Sequence, residues 1–233
     1  MDKLATGLIY YVVFLFSTTL HEAAHAWAAK RGGDLTAYLG GQVSLDPRPH
    51  IRREPFGMVI LPLLSVAVSG WPFGFASAPF DPRWAIRYPK RAAWMALAGP
   101  GSNLLLVLVS FLVIRAGFAA NVFHAPASVR FGEIIETAPG GLLPAVAFMI
   151  GAFFSMNLML AVLNLLPLPP LDGSAAVPLL LSDRMSSRYQ QFIWGQPGLA
   201  IVGMLLAWRL FDVVFQPMFL LAVNLLFPGV RYG

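Results

Sequence analysis

The chain has 233 residues, 58% of them hydrophobic and 12% charged, with a mean hydropathy of +0.69. A soluble domain carries about 25% charged residues, so the composition excludes an ordinary soluble enzyme and points to a polytopic membrane protein. The net charge of +5 sits in short loops between apolar runs, which suits loops facing anionic lipid and argues against nucleic acid as a partner. There is no cysteine, so no disulfide framework exists and any zinc site must use histidine and carboxylate.

In chain order, Lys3 precedes an apolar run from Gly7 to Ala29, long enough to span a bilayer core. A cleaved signal peptide would need its apolar region and cut site where His21, Glu22 and His25 stand, so this helix is expected to be retained. Residues 35–46 are short, Gly-punctuated and partly alternating at Leu39, Val43 and Leu45, which predicts a small β-hairpin. A turn-rich basic loop follows over 46–55. Residues 56–76 are apolar but interrupted by Pro62, Gly70, Pro72 and Gly74, and Gly74 to Phe80 read as extended. A second basic loop covers 81–91. Ala92 to Ile114 predicts a spanning helix containing Gly99-Pro100-Gly101-Ser102-Asn103, a pattern read as close helix packing. After a mixed loop, residues 140–166 predict another spanning helix, which breaks at Pro167-Leu-Pro-Pro-Leu-Asp172-Gly173. Residues 199–227 are a last apolar stretch. Arg209 and Asp212 inside it, three apart, can neutralise each other on one helix face.

If 56–76 crossed the membrane, the two basic loops would lie on opposite sides and the charge bias would vanish. If it dips in and returns, the basic residues from Lys30 to Arg91, with Arg184 and Arg188, share one side. Lys3, Arg115, Arg130 and Arg231 are then left on the other. That arrangement also makes the first helix and helix 140–166 parallel, so His25 and Asp172 reach similar depth. The expected fold is therefore an all-α polytopic membrane protein. It has about four transmembrane helices plus a re-entrant β-containing loop, the alternative being five to six transmembrane segments. Residues 1–233 are expected to form a single integral-membrane domain, with its core over about 7–180 and a C-terminal transmembrane segment over about 197–227.

His21-Glu22-Ala23-Ala24-His25 is an H-E-x-x-H sequence. On a helix, His21 and His25 project from one face one turn apart and can share a metal, with Glu22 beside a metal-held water as general base. Ionisable groups in a membrane-length segment read as functional. A catalytic zinc needs a third protein ligand. Asp172 is the best candidate, because helix-breaking prolines can swing it inward, although Pro-Pro-x-Asp-Gly is also an ordinary turn at a helix end. Asn157 and Asn164, seven apart on one helix face, can each donate to an oxyanion or a substrate backbone; an interhelical hydrogen bond is the other reading, favoured for Asn157. A substrate segment inside a membrane must be unwound, and an exposed strand edge near Gly74–Phe80, with Gly74, Phe75 and Ala76 as its substrate-binding residues, can hold it by strand addition; the other reading of that stretch is a turn-rich hairpin.

Taken together, these motifs resemble the site-2 protease family of intramembrane zinc metalloproteases, peptidase family M50. The resemblance rests on His21-Glu22-x-x-His25, on Asn164-x-x-Pro167-x-Pro169-x-x-Asp172-Gly173, and on Gly41–Pro47 with His50, Gly74–Ala76 and Ala98–Asn103 between them. It covers roughly residues 8–180 and looks like the minimal prokaryotic branch, without PDZ or CBS modules. It implies one Zn2+ per chain on His21, His25 and Asp172, Glu22 as base and Asn164 as a substrate-positioning residue. The partners it implies are a transmembrane protein or peptide substrate and the lipid bilayer, with the active site toward the cytoplasmic side of a prokaryotic membrane. Oligomeric state is open. A catalytically silent zinc or scaffold protein on the same fold is the competing reading. A transporter would want further polar clusters along the spans.

Overall fold

The structure is a computed structural model and describes residues 3–233. Helix α1 (Lys3–Gly32) is the first apolar run, extended at both ends beyond the expected 7–29. It stops because Gly33 adopts a φ of +100°. That turns the amides of Gly33 and Asp34 back onto the carbonyls of Lys30 and Ala29 at 3.2 and 2.9 Å, a Schellman closure. Asp34 is buried and its carboxylate accepts from the Thr36 amide, the Thr36 hydroxyl and the Asp81 amide at 2.9, 2.6 and 2.8 Å. One side chain thus ties the end of α1 to two separate loops.

The hairpin expected over 35–46 is absent. The segment forms α2 (Thr36–Leu39), a turn in which Gly41 has φ +75°, and the approach to α3 (Pro47–Arg53). Capping decides this. Asp34 draws the Thr36 amide into a helical turn, and Asp46 accepts from the Arg48 amide at 2.9 Å with Pro47 at the first helical position. Leu39 and Leu45 of the supposed alternation are both exposed, so no apolar face existed to hold a strand.

A π-helical turn (Phe56–Ile60) runs into α4 (Leu61–Ser69), which ends at left-handed Gly70. There the Lys3 ammonium donates to the Val68 carbonyl at 3.2 Å, so the tip of this excursion lies at the start of α1. Residues 71–80 come back extended to α5 (Pro82–Arg87), whose Trp84 indole N–H donates to the Gly32 carbonyl at 3.1 Å. The chain therefore leaves and rejoins the same end of α1. The β-containing loop expected here is corrected: the outward limb is helical, and among the described residues there is no β-strand. The return limb has one backbone-to-backbone bond to the outward one, the Phe75 amide to the Gly57 carbonyl at 3.1 Å, while the Phe73 amide donates to the Ser65 hydroxyl at 2.8 Å. A ladder needs repeated bonds to a neighbouring strand, and the neighbour here is a helix. The limbs cross so closely that a Cβ on Gly57 would collide with the Phe75 carbonyl, and one on Gly74 with the Gly57 carbonyl.

Helices α6 (Pro89–Ala119) and α7 (Leu143–Leu165) follow. Then come α8 (Asp172–Ala176) with a 3-10 turn (Val177–Leu180), α9 (Asp183–Gly195) and α10 (Gly198–Leu226). Among the described residues, helices α1, α6, α7 and α10 are the four long and apolar enough to cross a membrane, matching the expected number, and the chain is an integral membrane protein. Helix α6 is antiparallel to α1, since Arg91 near its start donates to the Gly32 carbonyl at 3.1 Å. Helix α7 is parallel to α1, with the Tyr10 and Phe148 rings 5.3 Å apart early in both. Arg115 donates to the Leu226 carbonyl at 2.8 Å, so α10 ends where α6 ends.

That far end is closed by the loop after α6. Ile134 is fully buried among Ile114, Phe154, Phe219 and Val223. Phe131 packs on Tyr10 and Trp71, and the Tyr10 hydroxyl donates to the Phe131 carbonyl at 2.8 Å. Arg209 and Asp212 do not neutralise each other as expected. Both are exposed, and among the described residues no ion pair joins them.

The cysteine-free chain allows a direct check of this path. Single Arg52→Cys and Arg83→Cys variants are expected to react with a membrane-impermeant maleimide from the same face, and Ser128→Cys from the opposite one. Labelling of positions 52 and 83 from opposite faces would contradict the returning excursion.

Candidate metal centre

His21 and His25 stand one turn apart on α1 and are both buried. Their Nε2 atoms lie 3.0 Å from each other, and Asp172 Oδ2 lies 3.0 Å from the first and 3.3 Å from the second. Zinc holds nitrogen and oxygen ligands at about 2.0–2.2 Å, which sets tetrahedral ligand atoms roughly 3.3–3.6 Å apart. The three atoms are nearly at that spacing already. Among the described residues this is the one group of three His, Asp or Glu side chains converging in this way.

The opposite edge of each imidazole is anchored to α6. His21 Nδ1 meets Asn103 Oδ1 at 2.5 Å, and His25 Nδ1 meets the Met95 carbonyl at 2.8 Å. Both partners are acceptors, so each Nδ1 carries the proton and each Nε2 presents a lone pair. The Asn103 orientation is itself set, because its Nδ2 donates to Asn157 Oδ1 at 2.9 Å. Asn157 Nδ2 donates to Ser17 Oγ at 3.0 Å and to the Phe153 carbonyl at 2.8 Å. Two lone pairs and a carboxylate oxygen therefore face one another at about 3 Å with no proton between the imidazoles. Such a set repels itself unless a cation sits at its centre, and it fits a divalent metal. Gly99 leaves the room: a Cβ there would strike both Nε2 atoms.

Asp172 reaches this point because α7 ends at Leu165 and the chain turns through closely spaced bonds. The Leu168 amide donates to Leu166 and the Leu171 amide to Leu168, at 2.8 and 2.9 Å. Gly173 lies against the Leu165 and Leu166 carbonyls with no space for a side chain. Ser174 caps the turn, its hydroxyl donating to the Leu171 carbonyl at 2.8 Å. From α9, the Tyr189 hydroxyl donates to the Ser174 carbonyl at 2.9 Å, and burial pushes that phenol above its ordinary range, keeping it a donor. Lys90 holds the following turn through the Leu181 carbonyl at 2.8 Å.

The remaining expected residues divide. Glu22 is buried beside His21, and among the described residues its carboxylate has no hydrogen-bond or ion-pair partner. Asn157 makes the interhelical bonds given above. Asn164 donates to the Leu160 carbonyl of its own helix at 3.0 Å. Gly74 and Phe75 are exposed and Ala76 half-exposed. Gly74 lies against the Phe14 ring, two helical turns, or roughly 10 Å, along α1 from His21.

The sequence reading missed Asn103 and the exact use of Gly99. Helix packing was expected of both, yet a Cβ on Gly101 would meet nothing, while Gly99 abuts the imidazoles. A signal existed. Met95, Gly99 and Asn103 recur every four residues, one face of a helix, and a fully buried asparagine in an apolar span needs a partner.

A family model, that of peptidase family M50, matches residues 9–205. Relatives named "Putative zinc metalloprotease" include the following two. YwhC of Bacillus subtilis is 32% identical over 184 residues, 77% of this chain and 72% of its own length. Rip2 of Mycobacterium tuberculosis is 34% identical over 165 residues, 70% of this chain and 54% of its own length. No solved structure matches the chain.

Two substitutions test the construction of the centre. Gly99→Ala is expected to lower bound zinc well below one per chain in metal analysis of purified protein, with the helical circular-dichroism signal retained; full zinc content would show that the space is not needed. Asn103→Ala is expected to weaken zinc affinity roughly 10- to 100-fold in a chelator competition, and an unchanged affinity would remove its anchoring role.

Proposed function

The chain belongs to peptidase family M50, and we propose that it is an intramembrane zinc endopeptidase acting on transmembrane protein or peptide segments. The observation that carries this reading is the convergence of His21 Nε2, His25 Nε2 and Asp172 Oδ2 between helices of membrane-spanning length. These three side chains hold the zinc. Zinc supplies Lewis acidity, polarising a carbonyl and bringing the pKa of a bound water down to about 7.

Glu22 is the general base and later the acid. It takes a proton from the attacking water and returns one to the leaving amide nitrogen. Its freedom from protein partners supports that role, because a carboxylate locked in an ion pair would not be available to shuttle protons. A silent scaffold would have no use for a carboxylate at this position. Asn164, half-exposed near the end of α7, is the side chain that meets the substrate backbone or the oxyanion. Asn157 serves the centre from behind, through Asn103.

Substrate lies along the return limb of the 56–80 excursion. Backbone groups alternate between the two edges of an extended chain. The Phe75 amide is turned to Gly57, so the amides of Gly74 and Ala76 face the other way, and among the described residues they have no partner. An unwound segment added along that edge pairs its own amides there, within two turns of His21. The centre lies near the end of α1 that bears Lys30 and Arg31. His25 is roughly 10 Å short of Gly32 along the helix, and the positive-inside rule assigns that end to the cytoplasm.

Glu22→Gln is expected to keep zinc while cleavage of a transmembrane reporter falls roughly 100-fold or more. Wild-type cleavage by that variant would eliminate Glu22 as the base. Cleavage of a soluble peptide but of no transmembrane segment, by the wild type, would overturn the substrate class.

A further inference from the structure

Helix α10 is the least covered of the four long helices: 17% of its apolar window is buried, against 33% for α6 and 56% for α7. Its buried stripe runs through Gly203, Ala207, Phe215 and Phe219. Along its first five turns Gly198, Val202, Leu205, Arg209, Asp212 and Gln216 are all exposed, and the same heptad positions run on into buried Phe219 and Val223, so this face is open as far as Gln216. The exposed six are spaced four, three, four, three and four apart, which is the a/d seam of a two-helix contact. Three of them are polar. The remaining amide side chain of α10 at its far end, Asn224, is satisfied by Tyr232 in both directions, at 3.1 and 2.8 Å.

Arg209 and Asp212 stand roughly 16 and 21 Å along the helix from Gly198, well inside a hydrocarbon core about 30 Å thick. Among the described residues neither has an ion-pair partner. Charges at that depth are costly when they face lipid, and they face protein partners where they occur. The chain's own seam supplies a complete partner. In a parallel two-fold pair, position 209 is level with 209 of the second copy and 212 with 212. One helical turn separates the rows, a distance an arginine side chain covers. Each Arg209 then meets the other copy's Asp212, both charges cancel twice over, and Gln216 faces Gln216. This is the self-complementarity an isologous contact requires, with polar side chains fixing the register.

We infer that α10 pairs two copies of this chain in the membrane through this seam. The absence of cysteine makes the test direct. In native membranes, Leu205→Cys is expected to give an oxidative cross-link at twice the mass of the 25.3 kDa chain, and Leu210→Cys, off the seam, to give none. Added to Leu205→Cys, either Arg209→Asp or Asp212→Arg alone sets like charges face to face and is expected to cut the cross-link about tenfold or more. The double variant, Arg209→Asp with Asp212→Arg, is expected to restore it, which also separates loss of pairing from failure to insert. No dimer from Leu205→Cys overturns the inference. So does an adduct of another mass, which would identify a different membrane protein on this face, and so does a double reversal no better than the single ones.

Discussion

The structure depends on one line of buried hydrogen bonds: His21 to Asn103, Asn103 to Asn157, Asn157 to Ser17. Every member is buried, and a polar group buried away from water without a partner costs about 1–3 kcal/mol. Three helices with weak amphipathic patterning would otherwise slide and rotate against each other at little cost, since lipid tails are as apolar as their side chains. The line removes that freedom. It begins and ends on α1, crosses α6 and α7, and can be satisfied in only one register. That register also brings the Met95 carbonyl to His25 and the backbone of Gly99 to both imidazoles.

The bonds also have a direction. Ser17 accepts from Asn157, Asn157 accepts from Asn103, and Asn103 accepts from His21. The proton on His21 Nδ1 is therefore specified from two helices away, and with it the lone pair on Nε2. Packing, tautomer and metal affinity are here consequences of one constraint, so a substitution at Asn157, remote from the ligands, acts on the centre through Asn103.

Much of this was legible in the sequence because membranes enforce simple rules. Length and hydropathy point to the four spanning helices, and the spacing of His21 and His25 points to the metal-ligand group they form with Asp172. Asp172 was legible only through the breaker-rich run before it. The failures have physical causes. Alternating apolar residues over 35–46 suggest a hairpin, but the Asp46 carboxylate caps α3 and the Asp34 carboxylate takes the Thr36 amide at the start of α2 instead. The excursion over 56–80 was read as β-containing because its glycines and prolines interrupt a helix pattern. One of those glycines, Gly74, with Gly57 opposite it, in fact permits a backbone crossing, which has no one-dimensional signature. Arg209 and Asp212 were read as paired because their spacing allows it, yet spacing does not fix where either side chain turns. Asn103 reads as helix packing in the sequence because its histidine partner lies 82 positions away.

The packing at the far end of the bundle has a bearing on the cell's energy supply. A polar, water-reachable centre inside a bilayer is a hazard if it opens on both faces, because protons and ions would run through it down their gradients. Here the route stops. Beyond Ser17 the space between the helices is filled by Phe14, Met156 and Tyr10, and then by Phe131 and Ile134 from the loop that folds back over them. The centre is thus backed by packed side chains toward that end and borders the part-exposed Asp172 at the other, so a reaction in it would leave the membrane electrically sealed.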